Sequence, residues 1–218
     1  MKILYLSFCL VLADQCSKLM VKGVQIPFLG LNVHGMSVGT SRPLIGDFLR
    51  LTYIENPGMA FGIDIGGKLF FSIFSIVASI IILVYLYNSR HEHLAFRTSL
   101  AMILGGAVGN LIDRVFYGVL FDEATLFHGK VVDFIDADFF HINLFGYHIT
   151  RFPVFNIADA SVTCGVILLL FAHRAVSRET LERPSDGLAL PVDSARPGVA
   201  VIESDNNPSP ESPSAPRP

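Results

Sequence analysis

Long apolar segments constrain this chain more than any other feature of its sequence. The clearest runs from Leu69 to Tyr87 and consists almost entirely of Phe, Ile, Leu, Val, Ser and Ala. About 20 consecutive apolar residues are enough for a helix to cross the hydrocarbon core of a bilayer. Of the 218 residues, 51% are hydrophobic and only 16% are charged. This composition is typical of a membrane protein, so we expect the chain to fold in lipid.

Three further segments are similarly apolar. Together the four predict a membrane all-α protein with a small β part, built as a four-transmembrane-helix bundle within residues 1–175. The polar, proline-rich residues 184–218 have little to bury and are predicted to form a disordered cytoplasmic tail. The helices are predicted at about residues 3–22, 69–87, 94–117 and 154–172.

Two outer segments, residues 23–67 and 118–153, contain no run that could span a membrane. Within the first, Leu49–Glu55 alternates in the manner of a half-buried strand, and Asn56-Pro57-Gly58 is a turn signal. We therefore expect short surface β-strands and loops in the outer segments.

Basic residues indicate how the helices are oriented. Under the positive-inside rule, short loops that are rich in Lys and Arg face the cytoplasm. Both termini are therefore predicted to be cytoplasmic, and the outer segments to face the other side. The residues that support this are Arg90, His91, His93 and Arg97 between the second and third helices, and Arg174, Arg178 and Arg183 after the fourth.

Several classes of partner are not indicated. The net charge of -3 has no strong sign, so it favours neither nucleic acid nor an acidic ligand. Cys9, Cys16 and Cys164 have no regular spacing, and we interpret them as small buried hydrophobic residues. The second outer segment contains potential metal ligands, but their spacing follows no metal-site pattern. We interpret these residues as lying on the solvent-exposed faces of short strands, and we expect no cofactor. These potential ligands are His128, Asp136, Asp138, His141 and His148.

Two aspartates lie in apolar surroundings at the edges of spanning segments. Asp133 follows Lys130-Val131-Val132, and Asp159 follows Phe155-Asn156-Ile157-Ala158. An ionised group in such surroundings is costly and is by default a functional candidate. Two carboxylates about 3 Å apart share one proton, so one can activate a water while the other donates to a carbonyl. The pair suggests acid/base chemistry on a substrate that arrives through lipid, and the sequence does not assign the proton.

Other polar residues lie within the predicted first helix. Asp14 and Lys18 are one turn apart in the order that favours an ion pair, and an interfacial snorkelling pair is an equally open interpretation. A secretory signal is a second interpretation of this segment, but Asp14 and Gln15 before Cys16 fit small-residue cleavage rules poorly.

The predicted third helix differs from a simple lipid-facing span. Small residues recur every four positions, a pattern that lets another helix approach closely. Asn110, Asp113 and Arg114 project on one side of its last turns, where such groups usually face a protein interior or a wet cavity. From these residues alone, a peptidase, a small proton-coupled carrier and a structural membrane subunit all remain open. No internal repeat or pair of broken helices favours the carrier.

Five motifs occur in order along residues 1–175: Asp14-Gln15-x-x-Lys18, Asn56-x-Gly58-x-Ala60-Phe61-Gly62, Gly105-Gly106-x-x-Gly109-Asn110-x-x-Asp113-Arg114, Val131-Val132-Asp133-Phe134 and Phe155-Asn156-Ile157-Ala158-Asp159. Their order and helix placement resemble the lipoprotein signal peptidase family, also called signal peptidase II. The resemblance implies an aspartyl endopeptidase of the bacterial inner membrane with its site on the periplasmic side. It would remove signal peptides from diacylglyceryl-modified prolipoproteins by cutting just before the lipidated cysteine.

The resemblance also implies residue roles and partners. Asp133 and Asp159 match the catalytic pair of the family. The implied partners are lipid-modified prolipoproteins and membrane lipid, without nucleic acid, and we expect a monomer. An extra stretch, Val119–His128, departs from the family pattern and bears on the shape of the surface loops. The positions that match supporting or substrate-binding residues are Asp14, Lys18, Asn56, Gly58, Gly106, Asn110, Arg114 and Asn156.

Overall fold

The structure is a computed structural model that describes residues 2–26, 30–58, 67–138, 142–144, 147–149 and 152–182. The helices in these ranges are α1 (Leu4–Lys22), α2 (Gly67–Asn88), α3 (Leu94–Ile112), α4 (Gly118–Leu120) and α5 (Ile157–Glu182). A π-helical turn, Asp113–Tyr117, joins α3 to α4. Residues 184–218, which were predicted to be disordered, lie outside the described residues. Met1–Thr180 form one compact unit.

Three helical stretches are long and apolar enough to cross a membrane: Leu4–Lys22, Gly67–Asn88 and Leu94–Leu120. This confirms a membrane protein that is mainly helical, but not the count of four spans. In the part of the chain that the structure describes, the apolar portion of α5, Ile157–Ala172, is shorter than such a stretch.

The predicted start of the last helix, at residue 154, was wrong. Phe155 forms an antiparallel β-bridge with Ile135, which keeps its backbone extended, and α5 begins only at Ile157. The burial predicted for the cysteines was also wrong, because Cys9, Cys16 and Cys164 are all exposed. In a helix that faces lipid, an apolar residue does not need protein contacts to leave water.

Glycines on α3 bring its neighbours to close range. A Cβ on Gly105 would lie 3.1 Å from the carbonyl oxygen of Ser7 on α1, and a Cβ on Gly106 would lie 2.2 Å from that of Ala158 on α5. Only glycine allows the second approach, since real Cβ atoms do not come so near a carbonyl oxygen. The predicted face of small residues at every fourth position reaches the same two helices, because a Cβ on Gly109 would lie 2.8 Å from the Asp14 carboxylate of α1 and 3.2 Å from the Cβ of Ala158 on α5.

The largest sheet has the strand order β3-β4-β5 and is antiparallel throughout. Two hairpins accompany it. The strands are β1 (Val24–Ile26), β2 (Leu31–Val33), β3 (Ser41–Ile45), β4 (Leu49–Asn56), β5 (Val131–Ala137), β6 (Ile142–Leu144) and β7 (Tyr147–Ile149). The predicted strand at 49–55 is confirmed, and both outer segments contain strands, as expected.

The packing of β5 positions the residues described below. Its inner side chains, Val132 and Phe134, pack with Tyr53 of β4 and with Val21 and Tyr117 at the ends of the helices. Adjacent side chains of a strand point to opposite faces, so Asp133 faces away from this cluster.

The extra stretch between α4 and β5 folds back onto the π-helical turn. The N–H groups of Phe127 and Gly129 donate to the carbonyls of Val115 and Arg114, at 3.1 and 2.9 Å. Ser72 of α2 donates to the carbonyl of Phe127 at 2.9 Å. Backbone carbonyls of the π-helical turn thus accept hydrogen bonds from this later segment, which satisfies the need of buried backbone groups for a partner.

Candidate active site

Asp133 and Asp159 line the same cavity, which has a volume of about 570 Å³. Cavities of this size are typical of small-molecule and peptide side-chain sites. The lining includes both polar and apolar side chains. The lining residues are Asn56, Asp133, Phe152, Pro153, Val154, Phe155, Asp159, Ala160, Thr163 and Cys164.

Asp133 lies near the middle of β5, beside Ile54 of β4. Its side chain is buried and accepts two hydrogen bonds, from Asn156 at 2.7 Å and from Asn56 at 3.2 Å. Burial and the nearby Asp159 carboxylate raise the pKa of Asp133 to about 7, although the two amide donors and Lys18 oppose the shift. Asp133 therefore exchanges a proton near neutral pH.

Asp159 is held at the first turn of α5 by a reciprocal cap. The side-chain oxygen of Asn156 accepts from the N–H of Asp159 at 2.9 Å, and the Asp159 carboxylate accepts from the N–H of Asn156 at 3.3 Å. This is the capping-box arrangement, in which the first residue and the third helical residue satisfy each other's backbone donors. Asn110 of α3 also donates to Asp159 at 2.7 Å. The cap fixes the carboxylate relative to the backbone.

Asn156 connects the two aspartates. Its amide nitrogen donates to Asp133, while its amide oxygen caps the helix that carries Asp159. The same nitrogen lies 3.1 Å from the Asn110 oxygen and 3.3 Å from the carbonyl of Val132. Because Asn156 is fully buried, its amide has no competing water, and its orientation is set by these partners.

A buried lysine lies beneath the pair. The Lys18 ammonium contacts Asp14 at 2.8 Å, Asp113 at 2.8 Å and the Asn110 side-chain oxygen at 2.9 Å. These three acceptors match the three donors of an ammonium group. Lys18 and Asp113 have exposed side-chain fractions of 0%, so the charges are compensated by one another and not by solvent. The predicted pairing of Asp14 with Lys18 is present, and it is buried rather than interfacial.

Each carboxylate of this cluster also accepts a backbone donor. Asp14 accepts from the N–H of Ala158 at the start of α5, at 2.9 Å. Asp113 accepts from the N–H of Val132, next to Asp133, at 3.1 Å. The cluster thus ties α1 and the end of α3 to both backbone segments that carry the aspartates.

Asp113 and Gln15 were not among the predicted site residues. The Gln15 amide donates to Asp113 at 2.9 Å and to the carbonyl of Gly109 at 3.0 Å, and it accepts from Tyr117 at 3.0 Å. Both residues lie in motifs that this chain shares with the family. Gln15 follows Asp14 and Asp113 precedes Arg114, so their positions in the sequence could have indicated that they belong to the site.

Asn56 and Gly58 form a local turn at the rim of the cavity. The Asn56 side-chain oxygen accepts from the N–H of Gly58 at 2.9 Å, which directs its amide nitrogen to Asp133. Gly58 has φ of +90°, a conformation that side chains rarely adopt. The rest of this motif, residues 60–62, lies outside the described residues.

Arg114 differs from the other predicted site residues. Asp113, Asp133 and Asp159 lie within electrostatic range of its guanidinium. Among the described residues, the guanidinium itself has no hydrogen-bond or ion-pair partner. Gly106, by contrast, contributes only space, because its missing side chain admits the first turn of α5.

A second ionic cluster lies at the C-terminal end of α1. Lys22 and Lys130 both pair with Glu55 of β4, and Tyr53 donates to Glu55 at 2.7 Å. Burial alone would raise the pKa of Glu55, but these three donors outweigh it and lower the pKa to about 2. Lys22 also pairs with Glu123 of the extra stretch. The cluster anchors the strand that ends at Asn56.

No group of three or more His, Cys, Asp or Glu side chains in the described ranges is arranged to hold a metal ion. Of the potential ligands noted in the sequence, His141 and the side chain of His148 lie outside those ranges.

Comparison with known proteins gives consistent matches. The family model described as "Signal peptidase (SPase) II" matches residues 6–174. A protein named "Lipoprotein signal peptidase" from Porphyromonas gingivalis is 36% identical over 206 residues, covering 77% of this chain and 81% of its own length. A protein of the same name from Staphylococcus aureus is 39% identical over 137 residues, covering 63% and 72%. A solved structure described as "Bacterial membrane enzyme structure by the in meso method at 2.3 A resolution" has a TM-score of 0.57 and 33% identity, covering 84% of this chain and 93% of that one.

Proposed function

The chain belongs to the signal peptidase II family of aspartic-type membrane peptidases, and we propose that Asp133 and Asp159 are the pair with which it removes signal peptides from prolipoproteins. The substrates would carry a diacylglyceryl group, and the bond cut would be the one before the lipidated cysteine. The observation that carries the proposal is the shared cavity: two aspartates from distant parts of the chain line it and are joined by one buried amide.

The positions of the two carboxylates support different roles. Asp159 lies at the N-terminus of α5, where backbone N–H groups and the helix dipole favour a negative charge. Asp133 lies on a strand, and burial and its neighbour raise its pKa to about 7. We therefore assign the proton of the resting pair to Asp133.

The reaction then requires no covalent intermediate. The Asp159 carboxylate removes a proton from a water, and the oxygen of that water attacks the scissile carbonyl carbon. The protonated Asp133 donates to the carbonyl oxygen and stabilises the negative charge that develops there. Collapse of the tetrahedral intermediate breaks the C–N bond, and the departing amine takes a proton from the pair.

Other polar residues would hold the geometry or the substrate. Asn110 and Asn156 restrain Asp159 and Asp133 through the hydrogen bonds described above. The Arg114 guanidinium has no side-chain partner in the described part of the chain and lies within electrostatic range of both aspartates, so it is suited to hold a substrate carbonyl. Lys18 and its buried partners Asp14 and Asp113 would have a structural role, holding the site in place without contacting substrate.

The apolar lining residues of the cavity suit a lipidated substrate. They include Phe152, Pro153 and Val154, and Cys164 of α5 also lines the cavity. A diacylglyceryl chain would remain in the bilayer while the peptide bond reaches the interface. We propose that α5 completes a four-span topology with both termini in the cytoplasm, the cavity on the periplasmic side and a monomer as the active form.

Purified full-length protein and a lipidated prolipoprotein test the assignment. Asp133→Asn and Asp159→Asn should each lower cleavage by about 10²–10⁴-fold, the range typical of a lost acid or base. Asp136→Asn is the matched control, because it is three residues along the same strand and its side chain bonds to Thr52 instead. Retained cleavage in either dyad variant would remove that residue from the mechanism. Loss in the control alone would place the chemistry elsewhere.

A further inference from the structure

A second cavity lies on the opposite face of β5 from the aspartates. Its volume is about 540 Å³, and it includes Phe134, whose side chain points away from that of Asp133. Its remaining walls come from the last turns of α1, from β3 and β4, and from residues 34–36, which follow β2. The lining residues are Ser17, Met20, Val21, His34, Gly35, Met36, Arg42, Leu51 and Phe134.

The ionisable residues that line this cavity are basic. Among the described residues, Arg42 and His34 are the only ionisable ones that line it, and none of the carboxylates does. Within the ranges that the structure describes, neither side chain has a hydrogen-bond or ion-pair partner. Arg50, on the neighbouring strand, is different, because it pairs with Asp47. An exposed guanidinium without a carboxylate is suited to a phosphate group.

The apolar walls continue into a stripe on α1 that faces away from the protein. Tyr5, Phe8, Leu12 and Met20 are 73%, 64%, 52% and 69% exposed, and they recur at helical spacing. Met20 belongs both to the stripe and to the cavity. At a rise of about 1.5 Å per residue, the stripe is about 22 Å long, which exceeds half of a hydrocarbon core of about 30 Å.

We propose that this cavity binds the headgroup phosphate of a phospholipid, with Arg42 as the main contact and His34 as a second donor, and that one acyl chain lies along the exposed stripe of α1. The cavity adjoins the last turn of a spanning helix, where headgroups lie. The proposal is independent of the catalytic assignment, because the two cavities share no residue. The bound lipid would support the back of the strand that carries Asp133.

Native mass spectrometry of the full-length protein in detergent tests the headgroup contact. With dioleoyl phosphatidylglycerol as the probe, Arg42→Gln should weaken the tightest binding step about fivefold, which corresponds to one basic residue near a membrane surface. Arg42→Lys should retain most of the binding. Arg50→Gln is the matched control and should bind as the wild type does. Equal loss in the Arg42→Gln and Arg50→Gln variants, or no loss in Arg42→Gln, would overturn the proposal.

Two further arms identify the ligand and the place. Dioleoylglycerol, which lacks the phosphate, should bind more weakly than phosphatidylglycerol, and inorganic phosphate should not displace the lipid. Equal binding of dioleoylglycerol, or displacement by phosphate alone, would contradict a phospholipid site. A phosphatidylglycerol with a photoreactive acyl chain should label α1 between Leu12 and Met20 in the wild type and less in Arg42→Gln. Labelling that is unchanged by the substitution would also contradict the proposal.

Discussion

The hydrogen bond from Asn56 to Asp133 allows a quantitative test of where the proton lies. This bond stabilises the ionised form of Asp133 and therefore lowers its pKa, against the effect of burial. A hydrogen bond to a charged acceptor contributes about 1.5–3 kcal/mol, and the separation of 3.2 Å places this one at the lower end. Since about 1.4 kcal/mol corresponds to one pKa unit, Asn56→Ala should raise the pKa of Asp133 from about 7 to about 8.

The measurement is kcat/KM for a lipidated prolipoprotein between pH 5 and pH 9. If Asp133 acts in its protonated form, activity falls as the pH rises through its pKa, so Asn56→Ala should move the descending limb about one unit upward. Its rate on the plateau will also fall, because Asn56 touches the site. Asn32→Ala, in the exposed hairpin strand β2, is the control and should leave the limb in place. A limb that stays near pH 7 in Asn56→Ala would refute the hydrogen-bond argument. Activity that rises through pH 7 in the wild type would refute the assignment of the proton to Asp133.

Two predictions concern the buried framework. Lys18→Met leaves Asp14 and Asp113 buried without their cation, so it should lower the free energy of unfolding in detergent by about 3–5 kcal/mol; a loss below about 1 kcal/mol in SDS titration would contradict this. Gly106→Ala places a Cβ 2.2 Å from the Ala158 carbonyl and should cost about 1–3 kcal/mol and reduce cleavage by displacing the start of α5. Gly105→Ala, with its nearest contact at 3.1 Å, should cost less, and the reverse order would be inconsistent with the packing.

Periodicity and composition were sufficient for much of the helical framework. The first two predicted helices begin and end within two residues of α1 and α2, because each apolar run is by itself long enough to define a spanning helix. The strand β4 was also predictable from its alternation. In each case the signal is local, and nothing distant in the chain is needed to interpret it.

The remaining features depend on contacts between distant segments. Carbonyls of the π-helical turn, Asp113–Tyr117, accept hydrogen bonds from the N–H groups of Phe127 and Gly129. No pattern within α3 predicts these contacts. The late start of α5 has a similar cause, since the bridge between Phe155 and Ile135 competes with helix formation. Arg114 was predicted to support the site, and that role stays a prediction.

The candidate site was predictable as a set of residues but not as a network. Motif positions indicated Asp133, Asp159 and Asn156, and the structure shows which atoms join them. The role of Asp113 can be recognised only in the folded structure, because its hydrogen-bond donors come from a lysine on α1 and a backbone N–H on β5. A carboxylate between two elements cannot be assigned to either from sequence alone.

The capping role of Asn156 bears directly on the proposed chemistry. A helix start needs partners for its free N–H groups, and here Asn156, Asp159 and Asp14 supply them. The same requirement that ends the extended segment and begins α5 therefore fixes one carboxylate of the pair in a positive backbone field. Among the described residues, the Asp133 carboxylate accepts hydrogen bonds from the side-chain amides of Asn156 and Asn56 and from no backbone N–H group. Backbone donors at a helix start stabilise a negative charge, so this difference is the physical reason to expect the shared proton on Asp133.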